Sequence, residues 1–171
     1  MDELLATENL TMQEFIQVVS FNLNGEEYAV EISKVKEIIL LEGVTRVPQM
    51  PDFIEGIINL RGTVIPVVDL RKRFGLPCPE QDEQTRIVVT RMETKIIGMI
   101  VDSVSQVMKI PQVSIQKPPE TITGLSREYL TGIGKVGEQL IIFLDIEKIM
   151  SVNEKESLTA RATDLCAIEQ E

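Results

Sequence analysis

The chain contains 171 residues, 43% of them apolar and 4% aromatic, carries a net charge of −10, and has no histidine. The lack of histidine excludes histidine-based catalysis and histidine metal sites, and the acidic charge argues against nucleic acid as a partner because phosphate binding depends on clustered Lys and Arg. The core is predicted to consist mainly of Val, Ile and Leu, which favours a mainly β fold.

The two ends of the chain differ from its centre. Residues 1–13 are polar and are predicted to form an N-terminal tail, whereas 151–171 mix charged residues with apolar ones at near-helical spacing, which leaves a C-terminal helix and a tail as alternatives. No stretch approaches the roughly 20 apolar residues of a membrane span. We therefore expect a cytoplasmic protein without direct membrane insertion, organised as a single domain over 14–150.

The first regular elements are predicted to be a hairpin and a third strand. FIQVVSFNL and YAVEI flank an Asn-Gly pair at 24–25, which is typical of a tight β-turn. SKVKEIILL is predicted to begin with one helical turn capped by Ser33 and to continue as a strand. Two prolines then predict an ordered loop, with one helical turn at 52–55.

A second hairpin is predicted around Arg61 and Gly62, between the strands GIINLRG and TVIPVVDL. Pro66 interrupts the second of these strands, which predicts an edge or bulged position. RKRFGLP is predicted to form a short helix that ends at its glycine. Asp69 stands just before that helix, where its side chain is predicted to act as an N-cap.

The second half of the chain continues with strands. TRIVVTRM and KIIGMIVDSV are predicted to be joined by a turn near 93–94, and QVMKIP forms a further strand. A proline-containing loop then precedes GIGKVGEQLIIFLDIEKIM, which is predicted to form a hairpin followed by a helix capped by Asp145.

The chain matches itself at an offset of 69 residues. The offset pairs residues of similar type in the two halves: Val18 with Ile87, Val19 with Val88, Ala29 with Gly98, Ile32 with Val101, Ser33 with Asp102, Val35 with Val104, and Ile38 with Val107. Further along, INLRGTVIPVVDLRK resembles IGKVGEQLIIFLDIEK at an offset of about 75. We interpret this repeat as two small antiparallel barrels in tandem that share an interface.

The sequence motifs that could indicate nucleotide or metal binding give only weak evidence for either. GIGKVG satisfies G-x-G-x-x-G, but a strand follows it rather than a helix, so its glycines are predicted to shape a hairpin. Cys78 and Cys166 lack the paired spacing of a zinc site, and we expect neither a metal nor another cofactor. Arg61 is either a solvated turn residue or the donor of a hydrogen-bonded fork to a carboxylate such as Glu37.

The segments VVSFNLNGEEYAVEISKVKEI, VTRVPQMPDFIEGIINLRGTVIPVVDLRKRFGL, IIGMIVDSVSQVMKI and EYLTGIGKVGEQLIIFLDIEKI resemble CheW-type chemotaxis coupling (adaptor) proteins. The resemblance covers 14–150 and is most specific in the pattern FIxGxxNLRGxxxPxxDL. It implies two tandem SH3-like five-stranded β-barrels, at about 14–66 and 67–150, with short helices and no enzymatic activity. The implied partners are the CheW-like regulatory domain of the histidine kinase CheA and the cytoplasmic tip of methyl-accepting chemotaxis receptors.

The resemblance also implies two contact surfaces, and with them recruitment to receptor arrays at the inner face of the membrane. The receptor-binding surface would comprise Val35, Glu37, Ile38 and Arg61, with Val19, Ile32 and Val104 as apolar neighbours. The kinase-binding surface, on the barrel ends, would comprise Thr45, Gly56 and Glu120. The residues themselves leave open whether the apolar members line a groove or belong to the core.

Two alternative functions remain at this point. The same fold would serve a scaffold for a related kinase pathway that controls motility or gene expression. A small-molecule-binding β-barrel, or a hydrolase that uses Asp or Glu, would instead require a deep pocket with clustered carboxylates.

Overall fold

The structure, a computed structural model, describes residues 14–77, 82–93, 95–118 and 129–149. It confirms the mainly β fold with two barrels. The strands are β1 Phe15–Leu23, β2 Glu26–Glu31, β3 Val35–Leu40, β4 Ile54–Leu60, β5 Thr63–Asp69, β6 Arg86–Met92, β7 Lys95–Val101, β8 Ser103–Pro111, β9 Ile115–Gln116, β10 Leu130–Val136 and β11 Gln139–Leu144. The helical elements are α1, Leu70–Arg73, and the 3-10 turns Ile32–Lys34, Gln112–Ser114 and Ile146–Lys148. The predicted tails at 1–13 and 151–171 lie outside the described residues.

The strands form two sheets, and their order corrects the predicted division of the chain. The first sheet has the order β8-β1-β2-β11-β10-β9 and the second β3-β6-β7-β5-β4. The second sheet is thus one continuous segment, from β3 to β7, inserted between the strands of the first. A boundary at residue 66 does not separate the barrels. One residue, Asp102, links β7 to β8; this link is too short for a hairpin, whose commonest loops have two residues, so β8 runs on into the other sheet.

Each sheet closes on itself. In the first sheet, the edge strands β8 and β9 are joined only by the 3-10 turn Gln112–Ser114. In the second sheet, Thr45 lies beyond edge strand β3 and pairs with Ile57 of edge strand β4 through two backbone hydrogen bonds of 2.8 Å. Each sheet also contains one parallel pair, β2 with β11 and β5 with β7. In the second sheet, these two bonds satisfy edge groups that would otherwise be open to another chain.

The strand registers confirm the internal repeat. Val19 lies opposite Val107 in the first sheet, and Val88 lies opposite Ile38 in the second, so both pairs are related by the offset of 69. The later hairpins, β4–β5 and β10–β11, are related by 76 residues and carry a register shift at the same place. The two barrels are therefore two copies of one pattern that have exchanged strands: the hairpin β1–β2 of the first copy forms a sheet with β8 to β11 of the second, and the hairpin β6–β7 forms a sheet with β3 to β5.

Several local predictions were wrong. The first 3-10 turn begins at Ile32 and has no side-chain cap, so Ser33 is not its N-cap. Residues 52–55 form no helical turn, because β4 already begins at Ile54. Pro66 lies in an inner strand rather than at an edge; β5 pairs with β7 only from Val67 onward. The predicted hairpins and both aspartate N-caps are confirmed.

The largest cluster of buried apolar side chains lies between the two sheets. It includes Phe21 and Val30 from the first sheet and Val68, Val88 and Met99 from the second. Two smaller clusters fill the barrel interiors. Since the shared cluster is built from both sheets, neither barrel has its full core without the other.

A buried ion pair lies at the start of α1. The Arg71 side chain is 3% exposed, and its Nε and Nη2 atoms each donate to a carboxylate oxygen of Asp69 at 3.0 Å. Its Nη1 donates to Asp102 at 3.1 Å. Hydrogen bonding to Asp69, aided by the charges of both aspartates, holds the pKa of the Arg71 guanidinium above its usual value although burial acts against this.

Asp102 also forms hydrogen bonds with the first sheet. Its Oδ2 accepts a hydrogen bond from the backbone N–H of Asn24 at 2.8 Å, and its own N–H donates to the carbonyl of Asn22 at 3.0 Å. Both contacts fall at the tip of the β1–β2 hairpin. The Asp69–Arg71–Asp102 network therefore fastens the helix of the second barrel to the first hairpin of the other barrel.

Replacing Arg71 with Met is expected to lower the free energy of unfolding by about 3–5 kcal/mol, because Asp69 would be left as a buried charge without its cation. Urea unfolding followed by circular dichroism measures this. The matched control is Lys72→Met, which removes the neighbouring cation and its more exposed pair with Glu55 and should cost less than about 1 kcal/mol. Equal losses in the two variants would contradict the assigned role of Arg71.

Candidate functional site

The turn between β4 and β5 holds an arginine in an unfavourable backbone conformation. Arg61 and Gly62 have φ values of 53° and 88°, and the Gly62 N–H donates to Asn59 Oδ1 at 2.8 Å. Two positive φ values define a turn that strongly prefers Asn-Gly, the pair present at 24–25 in the first hairpin. An L-residue other than Gly or Asn costs roughly 1–2 kcal/mol there. Backbone preference therefore does not explain the arginine.

The Arg61 side chain reaches back to β3 and confirms the predicted fork to Glu37. Its Nη1 donates to Glu37 Oε2 at 2.9 Å and its Nη2 to Oε1 at 3.2 Å. The arginine side chain is 79% exposed and the glutamate 23% exposed, so solvent screens the pair and it adds little stability. Its effect is geometric, because two parallel bonds hold the guanidinium in one plane above the strand.

Strand β3 also carries exposed apolar side chains. A register shift between Val35 and Glu37 interrupts the pairing with β6, and beyond it Ile38 is 38% and Leu40 54% exposed. Val35 remains half-buried against the cluster between the sheets. Because successive side chains of a strand point to opposite faces, Ile38 and Leu40 lie on the face of β3 opposite to that of Glu37.

The other predicted receptor-binding residues are less accessible. Val19 is 2% exposed and belongs to the core. Val104, the repeat equivalent of Val35, is half-buried against the same intersheet cluster, and Ile32 is half-buried in the first 3-10 turn. The structure thus brings Glu37 and Arg61 together and exposes Ile38 at the surface, whereas the other members of the predicted surface are buried or half-buried.

The predicted kinase-binding residues Thr45 and Gly56 lie where the second barrel closes. Gly56 is buried with a φ of 155°, and a Cβ there would collide with the Thr45 carbonyl and press on a methyl group of Val44. Thr45 itself is exposed and forms the closing bridge with Ile57 through its backbone. Glu120 lies outside the described residues.

Gly56→Ala is expected to unfold at a lower urea concentration than the native chain, because the new methyl group must displace the closing bridge. Gly62→Ala is the matched control: its φ is also positive, but nothing lies within 4 Å of its Cβ, and we expect a loss of only about 1–2 kcal/mol. If Gly56→Ala proved as stable as Gly62→Ala, the bridge would not be the reason for the glycine.

Sequence reasoning missed two features of this region. Leu40 continues the outward alternation of Ile38, a period-2 signal that could have identified it. Arg71 belongs to a run of three adjacent cations at 71–73 and pairs with Asp102, 31 residues away. No local signal distinguishes the buried member of such a run.

Within the described residues, no group of three or more Cys, Asp and Glu side chains is arranged to hold a metal ion. Across the same residues, no helix has the length and apolar character needed to cross a membrane.

Burial, and to a smaller extent the charge of Glu26, raises the pKa of the Tyr28 hydroxyl. What the β3 surface offers is therefore hydrogen bonding, opposite charges and apolar contact.

Comparisons with known proteins show which family the chain resembles. The family model for the CheW-like domain matches residues 17–154. The chain is 42% identical over 142 residues to the chemotaxis protein CheW of Klebsiella aerogenes, covering 83% of this chain and 84% of that protein. It is 35% identical over 148 residues to CheW of Bacillus subtilis, covering 86% and 93%.

A solved structure is also similar. The scaffolding protein TtCheW from Thermoanaerobacter tengcongensis superimposes with a TM-score of 0.78 at 37% identity, covering 84% of this chain and 97% of that one. Both kinds of match extend over most of the chain, so they include strands of both barrels.

Proposed function

The chain belongs to the CheW family, and from that premise we propose that it couples the cytoplasmic tip of methyl-accepting chemotaxis receptors to the histidine kinase CheA, as an adaptor without catalytic activity of its own. Relatives named as chemotaxis proteins and a structural neighbour named as a scaffolding protein support this role. The adaptor would work in the cytoplasm, recruited to receptor arrays at the inner face of the membrane.

The single observation that carries the proposal is the Glu37–Arg61 pair on its unfavourable turn. The pair is exposed and contributes little to folding, and the turn would be better served by Asn or Gly at position 61. An exposed residue that folding does not require, held rigidly on a strand that also carries exposed apolar side chains, is best explained by contact with a partner.

The receptor tip is a helical hairpin in this family, and helices dock through apolar anchors spaced along one face. We expect those anchors to cover Ile38 and the exposed part of Val35, with Ile32 and Val104 at the sheet junction and Val19 supporting them from the core. Arg61 and Glu37 would fix the orientation of the helix. Affinity would then come mainly from apolar burial, and specificity from the placement of charge.

The kinase would dock at the closing end of the second barrel, near Thr45 and Gly56, with Glu120 as a further expected contact. Gly56 lies near the start of β4, and Arg61 follows its end, a separation of about 16 Å at roughly 3.3 Å per residue. Two partners could therefore occupy the same barrel without sharing side chains. A shift at one surface would reach the other through a single rigid strand.

Arg61→Asn should weaken binding of a receptor-tip fragment by about tenfold or more, the loss typical of a central interface arginine, while the turn remains well formed because Asn tolerates positive φ. Isothermal titration calorimetry measures the affinity. Arg91→Asn, at an exposed arginine on β6, is the control and should bind normally. Undiminished receptor binding by a folded Arg61→Asn protein would refute the role given to Arg61.

The internal repeat supplies a second matched pair of variants. Ile38→Thr should weaken receptor binding severalfold, since a lost apolar anchor costs on the order of 1 kcal/mol. Val107→Thr changes the equivalent position in the other barrel, which is also exposed, and should leave the affinity unchanged. The same titrations apply, and equal effects at the two positions would show that the β3 surface is not the preferred one.

A further inference from the structure

A pocket of about 320 Å³ opens at the end of the first barrel and takes no part in the surfaces described above. Its apolar wall includes Ala29 and Phe143, and Glu31, Lys34 and Glu147 are among its charged lining residues. A volume of this size suits a small ligand or one large side chain, and such sites combine apolar walls with a few polar groups.

The repeat identifies what occupies the corresponding place in the second barrel. Asp145 and Glu147, separated from Asp69 and Arg71 by 76 residues, share the same local backbone. Asp145 accepts from the N–H of Glu147 at 3.0 Å, as Asp69 accepts from the N–H of Arg71 at 3.0 Å. The second barrel thus has a guanidinium beside its capping aspartate, whereas the first barrel has a carboxylate at that position.

A hairpin tip bonds to a carboxylate near both places, although the two carboxylates are not repeat equivalents: the backbone N–H of Asn24 donates to Asp102. The backbone N–H of Glu93, the repeat equivalent of Asn24, donates to Glu147 Oε1 at 3.0 Å. Lys34 supplies a cation from the barrel junction, but its Nζ lies 3.8 Å from Glu147 Oε1, and its side chain is 44% exposed. This is a looser arrangement than the buried guanidinium of Arg71.

The walls explain why the first barrel is open here. Its Ala29 corresponds to Gly98, where a methyl group of Ile87 occupies the place of a Cβ. Glu31 corresponds to Ile100, which is fully buried. At the equivalent positions the second barrel has Ile87, Ile100 and Arg71, whereas the first has Val18, Glu31 and Glu147.

The charge of the pocket indicates the ligand. Three carboxylates, those of Glu31, Asp145 and Glu147, are among its lining residues, against the one ammonium group of Lys34. Lys148 approaches Asp145 at 4.0 Å but does not line the pocket. The lining therefore carries an excess of negative charge, and a cation in such a partly enclosed space is favourable.

We propose that this pocket binds the arginine side chain of a protein partner, with its guanidinium beside Asp145 and its aliphatic stem against Phe143. Such a guanidinium would stand in the first barrel where Arg71 stands in the second. The proposal concerns a site separate from the β3 surface and does not rest on the proposed coupling of receptor and kinase.

The test uses the full chain and two probes, n-butylguanidinium and the capped dipeptide acetyl-Leu-Arg-amide, titrated at constant ionic strength and followed by ¹⁵N NMR. Both should produce saturable shifts in the amides of Thr131 and Ile146, which line the pocket. Neutral n-butanol should not. Absence of saturable shifts, equal shifts from butanol, or binding of butylguanidinium without the dipeptide would overturn the proposal.

Three variants sharpen the test. Glu31→Gln should weaken binding of acetyl-Leu-Arg-amide about two- to fivefold, the effect of removing one partly exposed opposite charge. Glu26→Gln, an exposed position on the same strand, is the control and should leave the affinity unchanged. Lys34→Met removes the competing cation and should strengthen binding. Equal effects of Glu31→Gln and Glu26→Gln, or weaker binding by Lys34→Met, would contradict the assigned site.

Discussion

The buried network of Asp69, Arg71 and Asp102 is the constraint on which the arrangement of the two barrels depends. Apolar packing between the sheets is non-directional and leaves their relative placement weakly specified. A guanidinium held by two aspartates, one of which also binds the tip of the first hairpin, admits one placement. A buried ion pair adds little net stability compared with apolar residues of similar volume; what it contributes here is specificity of assembly.

Much of the fold could be predicted because short-range sequence patterns determine it. The Asn-Gly turn, the alternating strands, both aspartate caps and the 69-residue repeat are short-range signals, and the structure confirms each. The exchange between the barrels, which begins at β3 and β8 and includes the strands that follow each of them, could not be predicted in this way. Both strands have the same pattern and register, so either hairpin would accept either strand, and the one-residue link at Asp102 decides the outcome.

The candidate site shows the same division. The contact between Arg61 and Glu37 could be anticipated from residue type and is confirmed. The choice between groove and core for the apolar residues could not, since Val19, Val35 and Ile38 share a residue class but differ in exposure. Exposure depends on which strand covers them. Arg71 shows most clearly that burial cannot be predicted from residue type alone, because its burial depends on a partner that is distant in sequence.

Taken together, these features describe a rigid body in which folding and recognition use different charges. Arg71 is buried and sets the relation of the barrels, whereas Arg61 is exposed, contributes little to folding, and marks the proposed receptor surface. The most direct measurement is hydrogen–deuterium exchange of the full chain with and without a receptor-tip fragment. The account predicts new protection in β3 and in the 61–62 turn, with the amides of Asn24 and Asp102 unchanged. Protection confined to the first barrel, with β3 unaffected, would contradict it.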